Sequence, residues 1–108
     1  MIRQSATAMV SALTMLLLAG ILPCVGNAAD IIQGRAHYEN HCRNCHGDDG
    51  RGVVAGAPDF SRGQGLMKSD AALVSALRST KGGMPSFQGI LRDQQLLDVA
   101  AYLRTLQR

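Results

Sequence analysis

Cys42-Arg43-Asn44-Cys45-His46 puts two thiols and an imidazole side by side. Three chemistries use such a set. A Cys-x-x-Cys pair can cycle between dithiol and disulfide, it can form half of a zinc site, and with His directly after it the spacing is that of haem attachment. For haem the reason is geometric. The two thiols add across the two vinyl groups of one porphyrin edge and form thioethers. Two intervening residues let a tight helical turn present both sulfurs to that edge, and the next side chain, His46, then falls under the iron. A thiol–disulfide motif belongs near a βαβ pattern, and no alternating strand pattern is present. A structural zinc site needs four ligands. Outside this segment only His37 and His41 are spare, and there is no second cysteine pair. Covalent haem is the reading that survives.

A six-coordinate iron needs a second ligand on its far side. Met84 lies in Gly82-Gly83-Met84-Pro85-Ser86-Phe87, where glycines let a loop swing over the haem face and Pro85 stiffens it just after the sulfur. A thioether is a soft ligand that favours reduced iron and raises the potential. Met67, just ahead of a helix start, reads as an ordinary apolar residue. His46 also needs an acceptor for its other ring nitrogen, because such partners fix tautomer and ring orientation; the Pro58 carbonyl in Gly56-Ala57-Pro58 is the candidate. Gly47-Asp48-Asp49-Gly50-Arg51-Gly52 is a glycine loop whose Asp spacing does not match a calcium-binding EF-hand. Arg51 or Arg62 could pair with a haem propionate but reads better as surface charge. His37 and His41 read as surface residues too, with the His41 side chain pointing away from the iron.

These groups must be positioned by few elements. Met1 to about Ala29 reads as a secretory signal peptide: Arg3, an apolar stretch from about Met9 to Leu22, then Gly26-Asn27-Ala28-Ala29 before Asp30. Cleavage after Ala28 or after Ala29 satisfies it, with Ala28 slightly preferred. The stretch is short for a bilayer span, which takes about 20 residues, although an uncleaved anchor stays open. Pro23 before Cys24 argues against a lipid anchor. The remaining domain, 30–108, is small enough to need a staple, and it has no Trp and few aromatic residues. A large apolar prosthetic group would complete its core. Three helices fit the pattern: about Ile31–Cys45, with Gly34 and Tyr38 on one face; Asp70–Ser79, capped by Ser69; and Asp93–Leu106, with Leu96, Val99, Ala100, Leu103 and Leu106 at helical spacing. The fold class is all-α with long loops. Basic residues are scattered singly, which excludes a nucleic-acid-binding surface.

The sequence from Asp30 to Gln107 resembles class I cytochromes c, the small monohaem electron carriers, and their bacterial members in particular. The resemblance rests on the Cys42–His46 motif, Met84-Pro85, Pro58 at 12 positions after His46, the Gly34/Tyr38 pair, and Val99/Tyr102 within Asp98-Val99-Ala100-Ala101-Tyr102-Leu103-Arg104. It implies a cytochrome c fold wrapped around one covalent haem c. Cys42 and Cys45 would be the thioether pair, and His46 and Met84 the two iron ligands. The Pro58 carbonyl would hold the histidine, and the first and last helices would cross. Departures are the short His46–Met84 separation, the missing Trp, Arg92 where a Ser or Thr cap is commoner (so that Asp93 would cap instead), and the scarcity of lysines, of which there are two, Lys68 and Lys81.

The implied function is periplasmic transfer of single electrons between redox partner proteins, after export and haem attachment by the cytochrome c maturation machinery. The protein is not expected to be an enzyme itself. A haem subunit of a dehydrogenase or reductase complex is the alternative, with a gas- or peroxide-binding haem protein behind it.

Overall fold

The structure, a computed structural model, describes residues 20, 21, 23 and 26–108. Most of the expected leader lies outside the described residues. Among those described, four helices and a short 3-10 turn form in the order α1 (Ile31–His41), α2 (Arg43–His46), the 3-10 turn Phe60–Arg62, α3 (Asp70–Arg78) and α4 (Asp93–Thr105), with no strand. The fold is all-α, as the sequence implies.

Helix α1 starts where the Asp30 carboxylate accepts the backbone N–H groups of Ile32 and Gln33 at 2.9 and 3.1 Å, satisfying two donors that a helix start leaves orphaned. It buries only Gly34 and Tyr38, so it makes contact along a narrow stripe. That stripe meets α4, whose buried face is Leu96, Val99, Ala100 and Leu103. The crossing is close: a Cβ on Gly34 would lie 1.9 Å from the Asp98 carbonyl oxygen and 3.1 Å from the Tyr102 Cβ. One turn further on, the Tyr38 and Tyr102 rings sit 5.2 Å apart. The Tyr38 hydroxyl then donates to the Gly47 carbonyl at 2.6 Å. This bond ties the helix crossing to the residue just after His46.

The first helix does not run unbroken to Cys45. It breaks at Cys42, whose φ of −120° leaves the helical range although its N–H still donates to Tyr38. A single new turn, α2, follows, with the Cys45 and His46 N–H groups both turned back onto the Cys42 carbonyl. The last helix also starts differently from expectation. Asp93 lies inside its first turn and pairs with Arg78, and the Gln95 side chain caps the start by accepting the Arg92 N–H at 2.8 Å.

Helix α3 is capped by Ser69, whose hydroxyl accepts the Ala72 N–H at 3.1 Å. It packs Leu73, Val74 and Leu77 into the core. The loop before it is clamped to α4 by Arg104, which donates to the Leu66 and Lys68 carbonyls at 2.9 and 2.7 Å and to Asp70 at 2.8 and 3.1 Å. One arginine thus fixes the approach of three chain segments.

Two outcomes test this packing. Gly34→Ala should cost about 3 kcal/mol in guanidinium unfolding of the haem protein, because backbone, which cannot step aside as a side chain can, fills the space its methyl would need. Tyr38→Phe should cost about 1 kcal/mol near neutral pH through the lost hydrogen bond. Burial raises the Tyr38 pKa in the folded state. Its contribution is therefore complete below the ordinary tyrosine pKa of about 10 and is lost as pH climbs above that value. Unfolding midpoints of the two proteins should converge as pH rises above about 10.

Candidate haem site

One cavity of about 850 Å³ opens between α1–α2, the loop 54–68, α3 and the segment 81–87. It falls in the size range of cofactor pockets. Cys42, Cys45, His46, Pro58 and Met84 all line it, so residues far apart in sequence share one wall system. Among the described residues its only charged lining side chains are Lys68 and Lys81, and no carboxylate faces it.

His46 is held on several sides. Its ring stacks on Phe60, with centroids 4.8 Å apart and planes 19° from parallel. The loop that follows covers the carbonyls of the attachment turn: Gly52 N–H donates to the His46 carbonyl at 2.8 Å and Val53 N–H to the Cys45 carbonyl at 2.9 Å. Burial lowers the His46 pKa, so the imidazole is neutral near pH 7, the form that binds metal. Its Nδ1 is buried with no hydrogen-bond partner. The expected bond to the Pro58 carbonyl is not formed in this geometry, although Pro58 lines the same cavity. An orphaned buried ring nitrogen is costly.

The two cysteines of the motif form no disulfide; Cys42 is buried and Cys45 exposed. Burial, reinforced by Cys45 alongside, pushes the Cys42 thiol up to about 11. Redox-active Cys-x-x-Cys pairs work through lowered thiol pKa values, so this pair is poorly suited to disulfide exchange. Among the described residues no group of three or more His, Cys, Asp or Glu side chains could hold a metal ion together. The zinc reading therefore lacks its remaining ligands.

Met84 is placed by a loop with two fixed ends. Lys81 and Met84 pair across a tight turn, with the Met84 N–H donating to the Lys81 carbonyl at 3.0 Å. Gly82, at φ +58°, occupies the first central position, where hairpin turns of the II′ kind require positive φ. Past Pro85, the chain turns back onto the end of α3. The Ser86 hydroxyl donates to the Arg78 carbonyl, and the Phe87 N–H donates to the Leu77 carbonyl at 2.9 Å. A helix end leaves such carbonyls without intrahelical donors, so the sulfur-bearing segment is held by what α3 lacks. Sequence reasoning missed Ser86 and Phe87. A small hydroxyl residue and an aromatic just after Met-Pro were the available signal.

The remaining residues fall into place. Met67 is 89 % exposed and does not line the cavity. Arg51 and Arg62 pair with Asp49 and Asp59 and do not line it either. His37 is half-buried away from the cavity. His41, although exposed as expected, sits on the cavity rim with its ring edge against Phe87 at 6.1 Å.

A helical domain that gathers two cysteines, an adjacent histidine and a distant methionine around one apolar cavity defines a small haem protein. Comparison with known proteins agrees. A family model described as cytochrome c oxidase, cbb3-type, subunit III, matches residues 29–103. Cytochrome c6 of Thermosynechococcus vestitus is 33% identical over 96 residues, covering 87% of this chain and 85% of that protein. Cytochrome c6 of a Synechocystis species is 31% identical over 100 residues, covering 85% and 81%. The cbb3-type cytochrome c oxidase subunit CcoP of an Azospirillum species is 31% identical over 97 residues, covering 80% of this chain but 33% of that protein. The chain belongs to the c-type cytochromes, as a small monohaem member of class I. It carries a covalently bound haem c with its iron, and it is an electron carrier that works with redox partner proteins.

Loss of the anchor on α3 should be visible directly. Ser86→Ala should lower unfolding stability by about 1 kcal/mol and speed amide exchange at Phe87, while Ser79→Ala, on the same helix end, leaves Phe87 exchange unchanged.

Proposed function

We propose that Cys42 and Cys45 hold the haem through thioethers, that His46 and Met84 ligate the iron from opposite faces, and that the protein shuttles single electrons in the periplasm. The observation that carries this reading is the shared cavity, where His46 from α2 and Met84 from the loop after α3 line one apolar space. Coordination through Nε2 would fix the proton of His46 on Nδ1, which then needs an acceptor; the Pro58 carbonyl, in the same cavity wall, would take that role once the iron is bound, although the bond is not made in the structure. When bound, the haem supplies a one-electron couple.

The protein's share is to bind, orient and exclude water. Phe60 and the cover at residues 52–54 hold the imidazole ring. Ser86 and Phe87 hold the methionine segment. Two ligands retained in both oxidation states leave little to rearrange on transfer. The apolar walls disfavour the more highly charged oxidised state, and the thioether acts in the same direction. The exposed Cys45 side of the cavity is the route for electrons to a partner, across the small transient interface usual for redox encounters. The leader, removed after Ala28 or Ala29, would direct export, with haem attached by the cytochrome c maturation machinery.

A second reading keeps the same site but places the chain in a complex. The match to an oxidase subunit family and to one third of a CcoP protein favours a haem subunit of a larger oxidoreductase. Purification from the periplasmic fraction as a free protein or as part of a complex separates the two.

For the site itself, mass spectrometry of the denatured exported protein should show one haem added covalently. The oxidised protein should show a methionine–iron charge-transfer band at roughly 695 nm. Met84→Ala should abolish that band, lower the reduction potential and admit carbon monoxide to the reduced iron. An unaltered spectrum in that variant would show that another group is the distal ligand.

A further inference from the structure

The chain's acidic residues are unequally served. Glu39, Asp48, Asp49, Asp59, Asp70 and Asp93 each have an arginine within ion-pair distance. The two carboxylates without one, among the described residues, are Asp30 and Asp98, and they meet at the start of α1. Asp98 is the more demanding. It is 5% exposed and sits on α4 at the closest approach to Gly34. Its Oδ1 accepts the Asp30 N–H at 2.8 Å and the Gln94 Nε2 at 3.0 Å. Its Oδ2 accepts nothing from the described residues. A carboxylate this little exposed, served among the described residues by neutral donors and no cation, leaves a place for a positively charged partner.

We propose that Asp98 is the docking site for the processed amino terminus, so that removal of the leader itself tightens the α1–α4 crossing. The inference rests on the export reading above. A peptidase adds water across the bond after Ala28 or Ala29; the new carboxylate leaves with the leader, and the freed amine takes up a proton. After Ala29 the ammonium is the very nitrogen that already faces Asp98. After Ala28 it lies one residue away, within about 3.8 Å Cα to Cα. The family match begins at residue 29, next to this junction. The opposing force is the positive end of the α1 dipole, worth roughly half a charge. Two carboxylates, Asp30 from α1 and Asp98 from α4, outweigh it, and Gln94 beside them is neutral.

The test is a four-protein cycle on holoprotein purified after export: the native chain, a variant keeping Gly-Ser-Gly ahead of the native terminus, Asp98→Asn, and the two changes combined. The extension carries the ammonium away from Asp98 without touching the helix. It should lower the folding equilibrium constant roughly threefold or more in the native background and leave Asp98→Asn nearly unaffected, with haem spectra unchanged throughout. An equal loss in both backgrounds overturns the proposal. If Asp98→Asn yields no holoprotein, nitrogen NMR of the unsubstituted chain decides. An α-ammonium pKa above the ordinary value of about 7.7–8.0 supports the pairing, and an ordinary or lowered value overturns it. The terminus is read first by mass: an intact leader overturns both this inference and the export reading, whereas a processed terminus without coupling overturns this inference alone.

Discussion

The architecture depends on the backbone-to-backbone approach of α1 and α4 at Gly34 and Asp98. No side chain fits between them, so the two helices cross at a distance only glycine permits. That contact sets the direction of α1, and α1 carries Tyr38, whose hydroxyl fixes Gly47. The attachment turn Arg43–His46 is thereby held at both ends, by the helix before it and by the loop after it. The position of His46 is thus tied to a helix crossing whose closest residues, Gly34 and Asp98, do not line the cavity.

From that turn the rest follows as a wall around an apolar space. The protein alone lacks enough large side chains to fill its centre. Leu73 and Leu77 from α3, Leu66 and Phe60 from the long loop, and Leu103 from α4 face the cavity while also belonging to the buried core. Core and cofactor site are therefore the same surface. The haem completes the hydrophobic interior of a domain too small to close one unaided, and covalent attachment keeps it there even though one side of the pocket is open.

Much of this was legible in the residues. The attachment motif, the Met-Pro segment, the helical spacing of the last helix and the Ser69 cap are local patterns, and local patterns survive into structure. What was not legible depends on contacts between distant segments. The break at Cys42 shows in its φ of −120° and in the Cys45 and His46 N–H groups that fold back onto its carbonyl, a change of backbone direction that the side-chain pattern from Ile31 to Cys45 does not signal. The Gln95 cap on Arg92 replaced the expected Asp93 cap because Asp93 is drawn to Arg78 on another helix. The His41 ring reaches the cavity rim because Phe87, some 46 positions later, offers it an edge. The stacking of the His46 ring on Phe60 joins residues 14 positions apart, which no spacing rule anticipates.

The charges follow a related logic. Six arginines are engaged by carboxylates, most of them close in sequence or across one helix contact. Neutralised locally, they add little to the far field of a chain whose formal net charge is only +3. Long-range steering of a partner, which depends on that field, is correspondingly weak. The two lysines at the cavity, Lys68 and Lys81, have no such acidic partner among the described residues and stand where the pocket meets solvent. Among the described residues the cations without a carboxylate partner are these two lysines together with Arg92 and Arg108, and of the four only the lysines line the cavity. Whatever charge the cavity itself presents therefore comes from side chains at its edge and acts over a Debye length of about 8–10 Å, not through the field of the whole chain.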